Sequence, residues 1–129
     1  TETGFAEIMN KKAKELGVTK SAFYNSTGLP AEGHLMTARD LALIAERTIK
    51  DFPELYPLYA EKSFLYNNIN QPNRNPLLGS FDGCDGLKTG HTDAGGYGLV
   101  ASATQNGRRL ILVINGSPTA KERAQDAER

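Results

Sequence analysis

Two apolar stretches joined by Asn-Gly constrain the fold of this chain most strongly. Tyr97 to Thr104 and Arg109 to Ile114 are apolar or alternate between apolar and polar residues, and Gln105-Asn106-Gly107 lies between them. Asn-Gly favours the tight turns that join two antiparallel strands. The sequence therefore predicts a β-hairpin in the C-terminal third of the chain.

Helical patterns precede this hairpin. Apolar residues recur at helical spacing in a first segment: Phe5, Ile8, Met9, Ala13 and Leu16. Gly17 marks the end of the helix that this pattern predicts. Residues 18–36 carry no periodicity and predict an irregular connection. Thr37, with Asp40 three residues later, resembles a capping box and begins a second predicted helix that runs to Lys50.

Short elements are predicted between the second helix and the hairpin. Pro53 and Pro57 bracket Glu54-Leu55-Tyr56 and leave room for one helical turn, because proline is tolerated only at the start of a helix. Ser63 to Tyr66 is a candidate strand. The Asn-rich run 67–75 is predicted to be a loop.

The remaining elements decide the fold class. Leu87 to Thr89 is predicted to be a strand, and Lys121 to Arg129 a polar helix that begins near Pro118. Helices come first and strands later, and a tight hairpin rather than a crossover helix joins the strands. This order favours an α+β fold, an antiparallel sheet flanked by helices, over a doubly wound parallel sheet.

Size and charge exclude several classes of function. The chain has 129 residues, which is a single domain or a large piece of one. Fifteen Lys and Arg balance fifteen Asp and Glu, so no net charge attracts the chain to the phosphates of nucleic acid or to anionic lipid surfaces, and nucleic-acid binding is not predicted. It starts at Thr1 without Met and ends at Arg129 inside a helical pattern, and we expect it to have been cut from a longer protein.

The residues that bind metals are scarce. Cys84 is the single cysteine, and His34 and His91 are the two histidines. An internal disulfide is therefore excluded, and neither a metal site nor a cofactor is predicted. Cys84 lies four residues before Lys88, and an inert, half-buried thiol is the favoured interpretation over a reactive one.

The most unusual segment is 85–93, with the sequence Asp-Gly-Leu-Lys-Thr-Gly-His-Thr-Asp. A cation, a hydroxyl and glycines stand side by side on a predicted strand, so a ligand can lie close to the backbone while Lys88 and Thr89 bind an anionic group. A phosphate-binding loop is excluded, because Leu87 separates Gly86 from Lys88 and no helix follows. The segment therefore predicts a carboxylate site.

Segment 85–93 and its flanks resemble the low-molecular-mass penicillin-binding proteins of the D-alanyl-D-alanine carboxypeptidase family. The resemblance covers nearly the whole chain and keeps the family's order. Its other matching parts are Phe5 to Asn10, Leu16-Gly17, Asn25 to Leu29, Thr37 to Ala42, Gln71, Asn73-Arg74-Asn75, Gly96-Tyr97, Leu99 to Thr104 and Lys121 to Arg123. It implies a serine acyl-transfer enzyme of the penicillin-recognising fold.

Two elements that such enzymes need are absent from this chain. Ser-x-x-Lys supplies the nucleophile and its base, and Ser-x-Asn supplies a second hydroxyl and an amide in the cleft. In the family both lie upstream of the segment that matches Thr1. We therefore expect residues 1–129 to form the C-terminal part of a transpeptidase-like catalytic domain, which is inactive without the upstream part.

The resemblance implies roles for residues that are present. Lys88 and Thr89 would bind the terminal carboxylate of a peptidoglycan stem peptide that ends in D-Ala-D-Ala. Gly90 would let the acyl chain lie against the strand, and the backbone N–H of His91 would be one of two oxyanion donors. β-Lactam antibiotics would acylate the same site from the upstream serine.

Further expectations follow from the same resemblance. Arg74 and Arg123 match positions where the family places Arg near the carboxylate end of the cleft. The family acts outside the cytoplasm, in the periplasm or on the outer face of the cytoplasmic membrane. An open sheet edge beside Leu87 would recruit another strand, from the upstream part or from a second copy. The alternatives are a fragment of a serine β-lactamase and a non-catalytic binding module.

No functional role is predicted for several large side chains outside these motifs. Arg108-Arg109 is interpreted as a solvated flank of the hairpin turn, and His34 as an exposed loop residue. Four aromatic residues are predicted to pack in or over the core: Tyr56, Tyr59, Phe64 and Tyr66.

Overall fold

The computed structural model describes residues 1–129 and contains an antiparallel sheet with helices on both faces. The elements are α1 Glu2–Glu15, α2 Ala38–Asp51, a 3-10 helix Tyr56–Ala60, β1 Ser63–Tyr66, β2 Ile69–Pro72, β3 Cys84–Thr92, β4 Gly96–Gln105, β5 Arg108–Ser117 and α3 Ala120–Glu128. Strands β3, β4 and β5 pair in this order, and β1 and β2 form a separate hairpin. The α+β prediction is confirmed.

Threonine hydroxyls begin all three α-helices. Thr1, Thr37 and Thr119 each accept a hydrogen bond from the backbone N–H three residues later, at 3.1 Å. Such a cap satisfies an N–H that the helix itself leaves unpaired. The predicted start of α2 at Thr37 is therefore confirmed. In α1, by contrast, Phe5 and Ile8 of the apolar stripe are 51% and 62% exposed.

The two faces of the sheet carry separate small cores. Ala45 of α2, Tyr56 of the 3-10 helix and Leu87 of β3 are buried together on one face. A second cluster is made by Leu77, Leu99 and Ala101, against which Ala127 of α3 packs. Leu87 therefore anchors the strand of segment 85–93 to the face that α2 covers.

The predicted hairpin is confirmed. Asn106 and Gly107 have φ angles of 50° and 75°, the left-handed conformation that a two-residue turn between twisted strands requires. Strand β3 is longer than the predicted Leu87 to Thr89, because its pairing with β4 continues from Cys84 to Thr92.

The prediction that residues 67–75 form a loop is wrong. Ile69–Pro72 is a strand that pairs with Ser63–Tyr66, and Asn67 and Asn68 form the turn between them with φ angles of 48° and 59°. Asn tolerates the left-handed region better than most residues, so two adjacent Asn can build a hairpin turn. The Asn-rich composition therefore indicates a turn rather than a long loop.

Two further predictions need correction. Phe64 and Tyr66 do not pack in the core: they stack on each other on the β1–β2 hairpin and are 64% and 67% exposed. The short helix expected at Glu54-Leu55-Tyr56 lies instead at Tyr56–Ala60, because Pro57 occupies one of its first positions, where a missing N–H costs nothing.

Two polar side chains hold the long connection between α1 and α2. The Asn10 side-chain amide donates to the Phe23 carbonyl at 2.7 Å and accepts from the Phe23 N–H at 2.8 Å. The buried carboxylate of Asp40 accepts from the Lys20 N–H at 3.0 Å and from the Ser21 hydroxyl at 2.6 Å. Side chains thus replace the backbone ladder that this irregular segment lacks.

Asp40 provides a test of this arrangement. The Ser21 hydroxyl outweighs the opposing effect of burial and, with the Lys20 N–H and the Thr37 hydroxyl, lowers the pKa of Asp40 below its ordinary value. The stabilisation is present above the ordinary pKa and is lost as pH falls through the lower folded value. We expect Asp40→Asn to lower the melting temperature at about pH 7, measured by circular dichroism.

The control for this prediction is Asp51→Asn. Asp51 also bonds to a neighbouring side chain, that of Arg47, but at the surface of α2. Its loss should change the melting temperature little. Equal melting temperatures for Asp40→Asn and Asp51→Asn would contradict the anchoring role.

None of the helices combines the length and apolar character that a membrane-crossing helix needs.

Candidate functional site

An open groove of about 1010 Å³ runs along β3 from Lys88 to Thr92. It is bordered by a loop of the α1–α2 connection, by the segment after β2 and by the start of α3. All six predicted site residues line it: Arg74, Lys88, Thr89, Gly90, His91 and Arg123. The fold therefore gathers residues that are up to 49 positions apart in the sequence.

The groove is cationic. Arg74, Lys88 and Arg123 line it, and no Asp or Glu does. None of the three takes part in an ion pair within the chain, and the Lys88 ammonium donates to the carbonyl of Thr89. Unpaired cations in a concave site attract anions and bind carboxylates through charge-assisted hydrogen bonds. The arrangement suits a ligand with a carboxylate.

Arg123 is held at one wall of the groove by its surroundings. It is 7% exposed, and its guanidinium carbon lies 5.8 Å from the centre of the Tyr97 ring. Its Nη1 donates to the Gly98 carbonyl at 3.4 Å, whereas its buried Nε–H has no partner. A buried donor without an acceptor costs free energy, which a bound acceptor can recover.

The outer edge of β3 is open. Strand β4 covers only one of its edges. A Cβ added at Gly90 would meet no atom within 4 Å, so the missing side chain keeps space free in the groove rather than relieving a clash in the protein. An unpaired strand edge offers N–H and C=O groups with which a peptide can pair.

The segment after β2 brings Arg74 to the groove. The Asn73 side chain donates to the carbonyls of Tyr59 and Glu61 at 3.3 and 3.0 Å. It also accepts from the backbone N–H of Asn75 at 2.9 Å. These bonds fix the backbone on both sides of Arg74.

Asn75 ties the same segment to β3. Its buried side chain donates to the Gly86 carbonyl at 2.8 Å and accepts from the Leu77 N–H at 3.1 Å. From the sequence, Asn73 and Asn75 are only matches to the resembled family, and no structural role is predicted for them. The sequence does contain a signal for this arrangement, because Arg74 stands between two Asn and Asn side chains form hydrogen bonds readily with nearby backbone groups.

A polar cluster outside the groove binds the side chain of Asp85 near the start of β3. The Tyr56 hydroxyl donates to the Asp85 carboxylate at 2.8 Å, and Arg109 donates to the same oxygen at 2.8 Å. Arg109 also donates to the Ser102 hydroxyl at 2.8 Å and lies 5.3 Å from the centre of the Tyr56 ring. The prediction that Arg109 is only a solvated turn flank is therefore wrong.

Cys84 lies beside this cluster and has the properties of an inert thiol. It is half-buried, and its sulfur lies 3.5 Å from the Gly86 carbonyl and 3.9 Å from the Asn75 amide nitrogen. Burial raises the pKa of Cys84 and outweighs these contacts. The thiolate, which is the reactive form, is disfavoured.

The polar cluster predicts a stability change at high pH. Burial, and next the bond to Asp85, raise the pKa of Tyr56 to about 12 from an ordinary value of 10.0. The unfolded chain loses this proton first as pH rises, so the free energy of unfolding should fall between about pH 10 and pH 12. Chemical denaturation across this range should show a shallower fall in Tyr56→Phe.

Tyr59→Phe is the matched control for this measurement. Tyr59 lies next to Tyr56, with ring centres 5.7 Å apart, but it is more exposed. The control should keep the pH dependence of the unmodified chain. An unchanged profile in Tyr56→Phe would contradict the assignment.

Solved structures with the same architecture are penicillin-binding proteins. Penicillin-binding protein 5 from Haemophilus influenzae superposes with a TM-score of 0.93 at 44% identity, over 98% of this chain and 37% of that one. Penicillin-binding protein D2 from Listeria monocytogenes, in its ampicillin-bound form, superposes with a TM-score of 0.89 at 34% identity, over 96% and 53% of the two chains.

Sequence comparisons agree with the structural ones. D-alanyl-D-alanine carboxypeptidase DacC of Escherichia coli (strain K12) is 46% identical over 130 residues, which cover all of this chain and 32% of the relative. DacF of Bacillus subtilis (strain 168) is 39% identical over 95% of this chain and 33% of its own length. This chain thus spans about a third of these relatives. The pattern of the D-alanyl-D-alanine carboxypeptidase family matches residues 1–119, and the chain belongs to that family.

Proposed function

We propose that this chain forms the substrate-binding wall of a serine-type D-Ala-D-Ala carboxypeptidase that trims peptidoglycan stem peptides. The observation that carries the proposal is the acid-free groove with three unpaired cations along the open edge of β3. A peptide that ends in a carboxylate fits both features. It can pair with the strand edge while its terminal charge meets the cations.

The residues of β3 and α3 receive distinct roles in this proposal. Lys88 and Thr89 bind the terminal carboxylate of the substrate, and Arg123 adds a positive charge at the wall of the same groove. Gly90 leaves room for the acyl part of the peptide. The backbone N–H of His91 stabilises the oxyanion that forms on the attacked carbonyl. Arg74 adds positive charge from the segment after β2.

The reaction requires a serine that the family carries upstream of the matching segment. Its oxygen bonds to the carbonyl carbon of the penultimate D-Ala, the C–N bond to the last D-Ala breaks, and the amine leaves with a proton. Water then hydrolyses the ester and restores the serine hydroxyl. Residues 1–129 are proposed to act as the C-terminal part of such a catalytic domain.

β-Lactams are proposed as further ligands of the groove. Penicillin-binding protein D2 from Listeria monocytogenes, which shares the architecture, has been solved in ampicillin-bound and cefotaxime-bound forms. These antibiotics carry a carboxylate beside a reactive carbonyl, as the peptide does. A place in the cell envelope, outside the cytoplasm, is proposed on the same family grounds.

Labelling by a fluorescent penicillin tests the proposal. Intact-mass spectrometry of the complete gene product should show one covalent adduct. The 129-residue chain alone should show none, because neither Ser-x-x-Lys nor Ser-x-Asn occurs in it. A complete gene product that binds the penicillin without an adduct would favour a non-catalytic binding module.

The carboxylate contacts can be tested separately. We expect Lys88→Ala, in the complete gene product, to reduce the rate of acylation by about 10- to 100-fold, the effect of one lost hydrogen bond to a charged group. Lys62→Ala is the control, because Lys62 is exposed and lines no part of the groove. Equal acylation rates in the two variants would contradict the role of Lys88.

A further inference from the structure

One buried amide connects two of the segments that bring cations to the groove, the segment after β2 and strand β3. Asn75 follows Arg74 directly in the sequence, and its side chain donates to the carbonyl of Gly86, two residues before Lys88. Asn75 is 5% exposed and does not itself line the groove. Any effect of Asn75 on a ligand must therefore pass through residues that line the groove, and Arg74 and Lys88 are the cations closest to its two contacts in the sequence.

The bond reaches β3 at a point where the strand is irregular. The register between β3 and β4 shifts between Cys84 and Gly86, which is a bulge. A bulge bends a strand and redirects the side chains that follow it. The direction of the Lys88 side chain therefore depends on the contacts that hold Asp85 and Gly86 in place.

The bulge is held from two sides. Tyr56 and Arg109 bind the Asp85 carboxylate, while Asn75 binds the Gly86 carbonyl. Gly86 has no room to move towards Tyr56, because a Cβ added to it would lie 2.6 Å from the Tyr56 hydroxyl oxygen. The Gly86 carbonyl accepts its shorter side-chain bond, at 2.8 Å, from Asn75, whereas the Cys84 thiol, a weak donor, lies 3.5 Å away.

We infer that Asn75 is a positioning residue whose amide sets the separation between the Arg74 guanidinium and the Lys88 ammonium, so that both act on the terminal carboxylate of a ligand. This inference rests on the proposed function, because it assumes a ligand with a carboxylate. The expected consequence is specific. Loss of the Asn75 amide impairs discrimination between a ligand with a carboxylate and the same ligand without it.

A ligand pair isolates this discrimination. N-acetyl-D-Ala-D-Ala ends in a carboxylate, and its C-terminal amide has nearly the same shape without the charge. The dissociation constant of each is measured with the complete gene product by ligand-observed NMR at about pH 8. The serine of the upstream Ser-x-x-Lys is replaced by alanine in every protein compared, because the active enzyme would cleave the acid during the measurement.

We expect Asn75→Ala to reduce the preference for the acid over the amide by about tenfold, the effect of one charge-assisted hydrogen bond. Asn75→Ser is the second variant. Its hydroxyl can accept from the Leu77 N–H but is too short to reach the Gly86 carbonyl, and it adds no charge, so it should show the same loss even if Asn75→Ala does not fold.

Gln105→Ala is the matched control. The Gln105 side-chain amide also donates to a backbone carbonyl, that of Asp82 at 2.9 Å, and Gln105 lies outside the groove. The control should leave the ligand preference unchanged. The loss of an amide-to-backbone bond elsewhere in the sheet therefore does not imitate the expected result.

Two results would overturn the inference in distinguishable ways. If the Asn75 variants weaken the acid and the amide equally, or weaken neither, Asn75 is merely structural while the proposed function stands. If the protein that keeps Asn75 binds the acid no better than the amide, the proposed function fails, and the inference fails with it.

Discussion

Strand β3 is paired with β4 from Cys84 to Thr92 on one edge and is open on the other, and the groove depends on this asymmetry. The pairing fixes the backbone, and Leu87 anchors it in the core with Ala45 and Tyr56. The open edge leaves backbone groups free for an added strand. A sheet that was paired on both edges of β3 would have the same core and no groove along Lys88 to Thr92.

Local chemistry made part of this architecture predictable. Asn106-Gly107 identified the β4–β5 turn, because few residues other than Asn and Gly adopt the left-handed conformation easily. The same argument applies to Asn67-Asn68, but the Asn-rich composition around that pair favoured a loop and concealed β2. The exposed Phe64 and Tyr66 show a related limit: aromatic residues indicate a strand, and they do not indicate which of its faces is covered.

The groove residues on one strand could be predicted from local sequence, Arg74 and Arg123 only through the family resemblance, and the contacts that support the groove not at all. Lys88, Thr89, Gly90 and His91 lie on one strand, and all four line the groove. The bond from Asn75 to Gly86 spans 11 positions, and the pair of Arg109 and Asp85 spans 24. No periodicity or local spacing encodes such contacts, because they arise from the way in which the 3-10 helix, the segment after β2 and β5 pack around the bulge.

Arg109 and Arg123 show why an arginine's neighbours, rather than its type, decide its task. Each guanidinium lies over a tyrosine ring, Tyr56 or Tyr97, at a similar distance of 5.3 or 5.8 Å. Arg109 is neutralised by Asp85, so its charge is used within the fold. Arg123 has no carboxylate partner, and its buried Nε–H lacks an acceptor. A buried guanidinium without a counter-ion is costly, so Arg123 keeps an unpaired positive charge at the wall of the groove, whereas the charge of Arg109 is already paired.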